Sequence, residues 1–95
     1  MPSLLNNEWF VYIVECADTT FYTGIAKDVT QRLYHHNATM RGAKYTRCRR
    51  PVKLVYQEGP FLTKGSALIR EYQIKSLTRL DKICLITEHV LKDAI

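Results

Sequence analysis

Two short apolar runs near the start of the chain set the terms for everything that follows. EWFVYIVE (8–15) and FYTGIA (21–26) are rich in β-branched and aromatic residues, with turn-like ADTT (17–20) between them. That pattern reads as a β-hairpin. Gly24, inside the second run, marks a place where backbone or ligand approaches closely. Asp28 then offers an N-cap for a helix through VTQRLYHHN, ending near Asn37. VKLVYQEG (52–59) reads as a third strand, stopped by Gly59-Pro60. Thr63 caps a helix through GSALIREYQIKSL, and a last helix covers about 79–92. The expected fold class is α/β in the α+β sense. A three-stranded, mainly antiparallel sheet is flanked by three helices in the order β-β-α-β-α-α.

Size permits one such unit. Ninety-five residues bury about 60–65% of the surface of the unfolded chain, enough for one core, so residues 1–95 are expected to form a single domain. No run of eighteen apolar residues occurs, which argues against a membrane span. The N-terminal MPSLLNNEWF lacks a basic region ahead of an apolar block, so no secretory leader is expected and the expected location is the cytoplasm. Cys16, Cys48 and Cys84 are odd in number, far apart and without a C-x-x-C pair. They suit neither a disulfide framework nor a zinc site and read as free, mostly packing cysteines.

Charge is unevenly placed. The chain carries a net +5, and ATMRGAKYTRCRR (38–50) holds five cations and no acid, so the remainder is balanced. Arg41, Lys44, Arg47, Arg49 and Arg50, with Tyr45 among them, form the kind of segment that docks a phosphate backbone. A solvated loop that aids solubility is the plainer alternative.

Helical phase sorts the other candidates. Val29 and Leu33 define the buried stripe of the first helix, Arg32 and His36 flank it one turn apart, and His35 points away with Gln31. An Arg/His pair beside apolar residues needs a negative partner, either an internal carboxylate or a substrate phosphate. In the second long helix Glu71 falls between Ala67 and Ile74 on one side and Leu68 on the other. A carboxylate on an apolar arc is paired or ligates a metal, and Lys75, four residues on, offers the simple ion pair. Tyr12 and Tyr22 on neighbouring strands need be no more than a cross-strand aromatic pair. Together, however, these groups suit phosphodiester hydrolysis. Tyrosine beside histidine relays a proton, arginine holds the phosphate, and glutamate holds a divalent cation.

FVY (10–12), YTG (22–24), the Arg32/His36 helix and Glu71 on a later helix resemble the GIY-YIG nuclease superfamily. GAKYTRCRRPVKLVY and the Glu71-x-x-x-Lys75 pattern resemble its small stand-alone UPF0213, or YhbQ-like, group. The similarity spans about residues 8–86. It implies a metal-dependent DNA endonuclease, structure- or damage-directed and of low sequence specificity, in which water attack leaves 3′-hydroxyl and 5′-phosphate ends. By resemblance Tyr12 activates or positions the water, His36 accepts its proton, Tyr22 assists, Arg32 binds the scissile phosphate, and Glu71 holds one Mg²⁺ or Mn²⁺. Phe10 replaces the glycine of G-I-Y, and no asparagine follows the metal helix in RLDKICLITEH. With no recognition domain expected, specificity would come from a partner protein, and the domain itself is expected to be a monomer or weak dimer. A non-cleaving nucleic-acid-binding module on the same fold is the second reading.

Overall fold

A computed structural model of the chain describes residues 8–93; residues 1–7, read above for a leader, and 94–95 lie outside the described residues. Strand β1 (Trp9–Glu15) pairs antiparallel with β2 (Phe21–Ala26) on one side and β3 (Lys53–Phe61) on the other, giving the sheet order β2-β1-β3. Helix α1 (Val29–Ala38) follows the hairpin, and α3 (Lys64–Lys75) and α4 (Arg79–Asp93) follow β3. The segment expected to be wholly irregular contains one helical turn, α2 (Lys44–Arg47). The other elements take the expected order.

β1 is buried on both faces, which is why it reads as an almost unbroken apolar run. Successive side chains alternate across a strand. Tyr12, Val14 and Cys16 pack on one face with Ala26, Val29, Val52, Tyr22 and Leu33, under α1. Val11 and Ile13 pack on the other with Tyr56, Ala67, Ile74, Leu85 and Ile86, under α3 and α4. Two helix starts are set by side-chain caps as expected. Asp28 Oδ1 accepts from Gln31 N at 3.0 Å, and Thr63 Oγ1 accepts from Ser66 N at 3.1 Å. In the hairpin turn Asp18 Oδ1 accepts from both Thr20 N and Thr20 Oγ1, beside Thr19 in the left-handed region at φ 67°.

β3 departs from expectation by running through Gly59-Pro60 to Phe61. It is an edge strand, so the missing proline N–H need not break a ladder on its outer side. Gly59 sits at φ +140°, and a methyl group there would fall 2.9 Å from Trp9 O. The register of β1 against β3 shifts at this place, between Trp9 and Val11. The cysteines are all free, but only Cys16 is buried; Cys48 and Cys84 are exposed.

Candidate active site

Tyr12 stands in the register opposite Gly24, and its ring crosses that glycine toward the outer side of β2. A methyl group at Gly24 would lie 2.6 Å from Tyr12 Oη and 2.8 Å from Cζ, so what approaches Gly24 closely is this side chain rather than the backbone or ligand expected there. The phenol ends 2.7 Å from His36 Nε2, in a fully buried contact. On the far side of the imidazole, Nδ1 lies 2.8 Å from Thr46 Oγ1, whose hydroxyl donates to Ala43 O at 2.9 Å. His36 and Thr46 are both 0% exposed and Tyr12 is 1% exposed, so this polar chain runs through the interior. Every buried side-chain nitrogen and oxygen among the described residues has a partner, as burial of polar groups demands.

The electrostatics follow from that burial. Removal from water pushes the Tyr12 phenol up to about 12, against the pull of the Arg32 guanidinium; Tyr22 and Glu71 add upward pressure from nearby. Burial also pushes His36 down to about 4, helped by the positive charges of Arg32 and Arg50 and by His35. Both members of the pair are therefore neutral across the physiological range.

The same electrostatic neighbourhood connects the other candidates. Arg32 and Glu71, from helices on opposite faces of the sheet, both act on the Tyr12 phenol. Arg32 Nη1 also donates to Arg41 O at 2.7 Å, which ties α1 to the basic segment. The Tyr22 ring meets His36 edge-on at 5.4 Å between centroids and stacks on Tyr45 at 5.9 Å. The Glu71 side chain is 17% exposed, and one of its oxygens lies 3.7 Å from Lys75 Nζ. That separation is too long for a charge-assisted hydrogen bond. The Lys75 ammonium also sits 5.8 Å above the Tyr22 ring, so the ion pair expected from the sequence exists without closing off the carboxylate. Of the apolar neighbours assigned to Glu71, Ala67 and Ile74 are buried, whereas Leu68 is exposed.

The basic segment divides in two. Arg50 donates from Nε to His36 O at 2.6 Å, and from Nη2 to His35 O and Thr39 O, so it closes the C-terminal end of α1. Arg49 bridges Asp18 Oδ2 at 3.0 Å and Tyr45 O at 2.8 Å, with its guanidinium 3.9 Å from the centre of the Tyr45 ring. Tyr45 thus contacts both the Tyr22 ring and the Arg49 guanidinium while remaining partly exposed. The side chains of Arg41, Lys44 and Arg47 point outward and are exposed.

The comparison with known proteins bears directly on this arrangement. The sequence matches the GIY-YIG catalytic domain over residues 8–83. The chain belongs to the GIY-YIG family. UPF0213 proteins of Staphylococcus epidermidis and Staphylococcus aureus are 57% and 58% identical over 79 residues, covering 83% of this chain and 94% of theirs. The solution NMR structure of a UPF0213 protein from Bacillus halodurans is 42% identical, with a TM-score of 0.53, and covers 84% of this chain and 83% of that one. GIY-YIG membership puts the chain in an endonuclease superfamily whose members act on nucleic acid and generally use divalent metal ions. No helix among the described residues is long and apolar enough to cross a membrane.

Whether this candidate site suits a metal ion can be judged from its donors. Among the described residues no three His, Cys, Asp or Glu side chains gather into a metal-binding cluster. Glu71 supplies one partly open carboxylate near Tyr12. That set does not make a closed protein cage. It does fit a hard ion such as Mg²⁺, which keeps several waters and borrows phosphate oxygens from a bound substrate.

Sequence reasoning passed over Thr46, Gly42 and the structural use of Arg49 and Arg50. A methyl group at Gly42 would fall 2.7 Å from His35 O and 2.9 Å from His36 Cα, so the loop lies directly on α1 there. Thr46 carries no local signal, because its partner His36 lies ten residues away across that loop.

Burial of His36 predicts an acid-sensitive fold. In the unfolded chain His36 takes up a proton near pH 6.5, whereas in the folded protein it does so only near pH 4. Between those values the unfolded state binds more protons, so stability falls as pH falls. The contribution of His36 to the loss between pH 7 and 4.5 is expected to be about 2–3 kcal/mol, at 1.36 kcal/mol per pH unit. Urea unfolding at the two pH values should show a loss smaller by that amount in His36→Gln. An equal loss in both proteins would refute the assignment.

Proposed function

We propose that this protein is a metal-dependent endonuclease that hydrolyses phosphodiester bonds of DNA, directed by structure or damage with little sequence preference, and leaves 3′-hydroxyl and 5′-phosphate ends. The observation that carries the reading is the buried Tyr12–His36 contact, 2.7 Å long, with Arg32 and Glu71 acting on the same phenol. A neutral phenol can accept a proton from an attacking water while passing its own to a neutral imidazole. The water-derived proton would rest on Tyr12 and the tyrosine proton on His36 Nε2. Arg32 would hold the non-bridging oxygens of the scissile phosphate, its charge matched to the negative charge that builds there. Tyr22, packed against His36, would orient the same phosphate or water through its hydroxyl. Glu71 would hold one Mg²⁺ or Mn²⁺, which when bound supplies Lewis-acid stabilisation at the phosphate. Arg41, Lys44 and Arg47 would lie along the nucleic-acid backbone, which positions the substrate without reading its sequence. Specificity beyond structure would come from a partner protein, and we place the activity in the cytoplasm in a monomer or weak dimer.

The decisive experiment is a cleavage panel of duplex, flap, branched and single-stranded DNA, with matching RNA, run with Mg²⁺, with Mn²⁺ and with chelator. Nicking of DNA that needs metal is expected, with Glu71→Ala inactive but still binding. Binding without cleavage on every substrate would overturn the enzyme reading in favour of a non-cleaving nucleic-acid-binding module.

Salt dependence checks the docking assignment separately. Each phosphate neutralised contributes about −0.9 to the slope of log K against log salt on duplex DNA. Replacing Arg41, Lys44 and Arg47 together by alanine should flatten that slope by about 2–3. An unchanged slope would remove these residues from the interface.

A further inference from the structure

We propose that Thr46 is a positioning residue that fixes the ring tautomer of His36, so that Nδ1 carries the hydrogen and Nε2 is bare to receive the Tyr12 proton. The inference deepens the nuclease reading above and takes its significance from it.

Thr46 has one hydroxyl hydrogen and two polar neighbours, Ala43 O at 2.9 Å and His36 Nδ1 at 2.8 Å. The carbonyl can only accept. If the hydroxyl hydrogen serves Ala43 O, the 2.8 Å contact is a hydrogen bond only when Nδ1–H donates to Thr46 Oγ1. A neutral imidazole carries a single ring hydrogen, so Nε2 is then an acceptor. That is the state needed at the other end, where Nε2 meets Tyr12 Oη at 2.7 Å. With Nε2 an acceptor, the Tyr12 hydroxyl must be the donor across that 2.7 Å contact. Every short contact is satisfied in this arrangement: Tyr12 O–H to Nε2, Nδ1–H to Thr46, Thr46 O–H to Ala43 O. Only the Ala43 N–H contact to Nδ1, 3.4 Å long, is given up. The opposite tautomer keeps that weak contact and forfeits the donation to Ala43 O together with the proton acceptor facing Tyr12.

The surrounding loop is built to hold this chain. Thr46 is wholly buried in the single turn of α2. Gly42 lets the backbone settle on α1 beside His36. Arg50 binds the carbonyls of His35 and His36 at the same place. Part of the segment that looks like a nucleic-acid contact in sequence therefore serves as the wall behind the histidine.

Thr46→Val removes the hydroxyl and keeps the shape, whereas Thr46→Ser keeps the hydroxyl. The ring ¹⁵N resonances of His36, read by NMR in the intact protein, report the tautomer without any substrate. Wild type and Thr46→Ser should show protonated Nδ1 and bare Nε2, and Thr46→Val should shift the ring toward protonated Nε2. Cleavage should fall roughly tenfold or more in Thr46→Val at unchanged DNA affinity, and recover in Thr46→Ser. Protonated Nε2 in the wild type overturns the proposal, even if Thr46→Val does not fold. An unchanged ring in a folded Thr46→Val protein overturns it as well. If no substrate is cleaved but the tautomer responds as described, the positioning role stands and the nuclease reading falls.

Discussion

Tyr12→Phe, which deletes one oxygen atom, is expected to lower metal-dependent cleavage by about 10²–10⁴-fold, the usual worth of a positioned proton-transfer group. DNA affinity should hardly move, because the phenol is 1% exposed and has no large surface to offer a ligand. Loss of the hydroxyl leaves His36 Nε2 without its 2.7 Å partner inside the protein. An unsatisfied buried nitrogen costs about 1–3 kcal/mol, so a measurable drop in stability should accompany the loss of rate. Cleavage rates at saturating DNA, binding titrations and urea unfolding on the same preparation separate the three effects. Retention of most of the wild-type rate would exclude Tyr12 from the chemistry and leave it as a buried sheet aromatic.

Gly24→Ala should be comparably damaging from the opposite strand. The added methyl group would meet Tyr12 Oη at 2.6 Å and Cζ at 2.8 Å, distances that real side chains do not tolerate. The obstacle is the rigid end of an aromatic ring enclosed between α1 and the sheet, so it cannot swing aside as a surface side chain would. Overpacking of this kind costs about 1–3 kcal/mol, and relief requires the phenol to leave His36. A cleavage loss of about a hundredfold or more is expected, within the range for loss of general acid–base assistance. Tyr12→Phe in the same chain removes the closest clashing atom, so the double variant should recover part of the stability lost by Gly24→Ala alone. Such coupling between touching residues is what a double-mutant cycle measures. Strict additivity would mean that the two side chains do not compete for that space.

Legibility in the sequence followed the range of the interactions. The helices and two of their caps depend on neighbours within four residues, and Asp28 and Thr63 announce their helices locally. Helical phase separated His36 from His35, and the structure buries the first fully and the second in part. The extension of β3 past Gly59-Pro60 was hidden because its edge position is a property of the whole sheet. Thr46 was hidden for the same reason, since its hydroxyl acquires meaning only when the loop folds back on α1. The cations of residues 41–50 could be counted but not sorted, because composition does not say which guanidinium finds a carbonyl.

The internal employment of Arg50 changes how an alanine scan of this segment should be interpreted. Arg50→Ala would weaken DNA binding in a simple affinity assay, yet the guanidinium grips the carbonyls of His35, His36 and Thr39. The lesion would be a frayed helix end and a loosened histidine, transmitted to the ligand at second hand. Its signature is a lower midpoint of unfolding with the slope against salt intact, whereas a true phosphate contact shows the reverse. Under the proposed function, counting positive charges would overstate the grip this surface can offer a phosphate backbone. Part of its cationic complement is already spent as mortar.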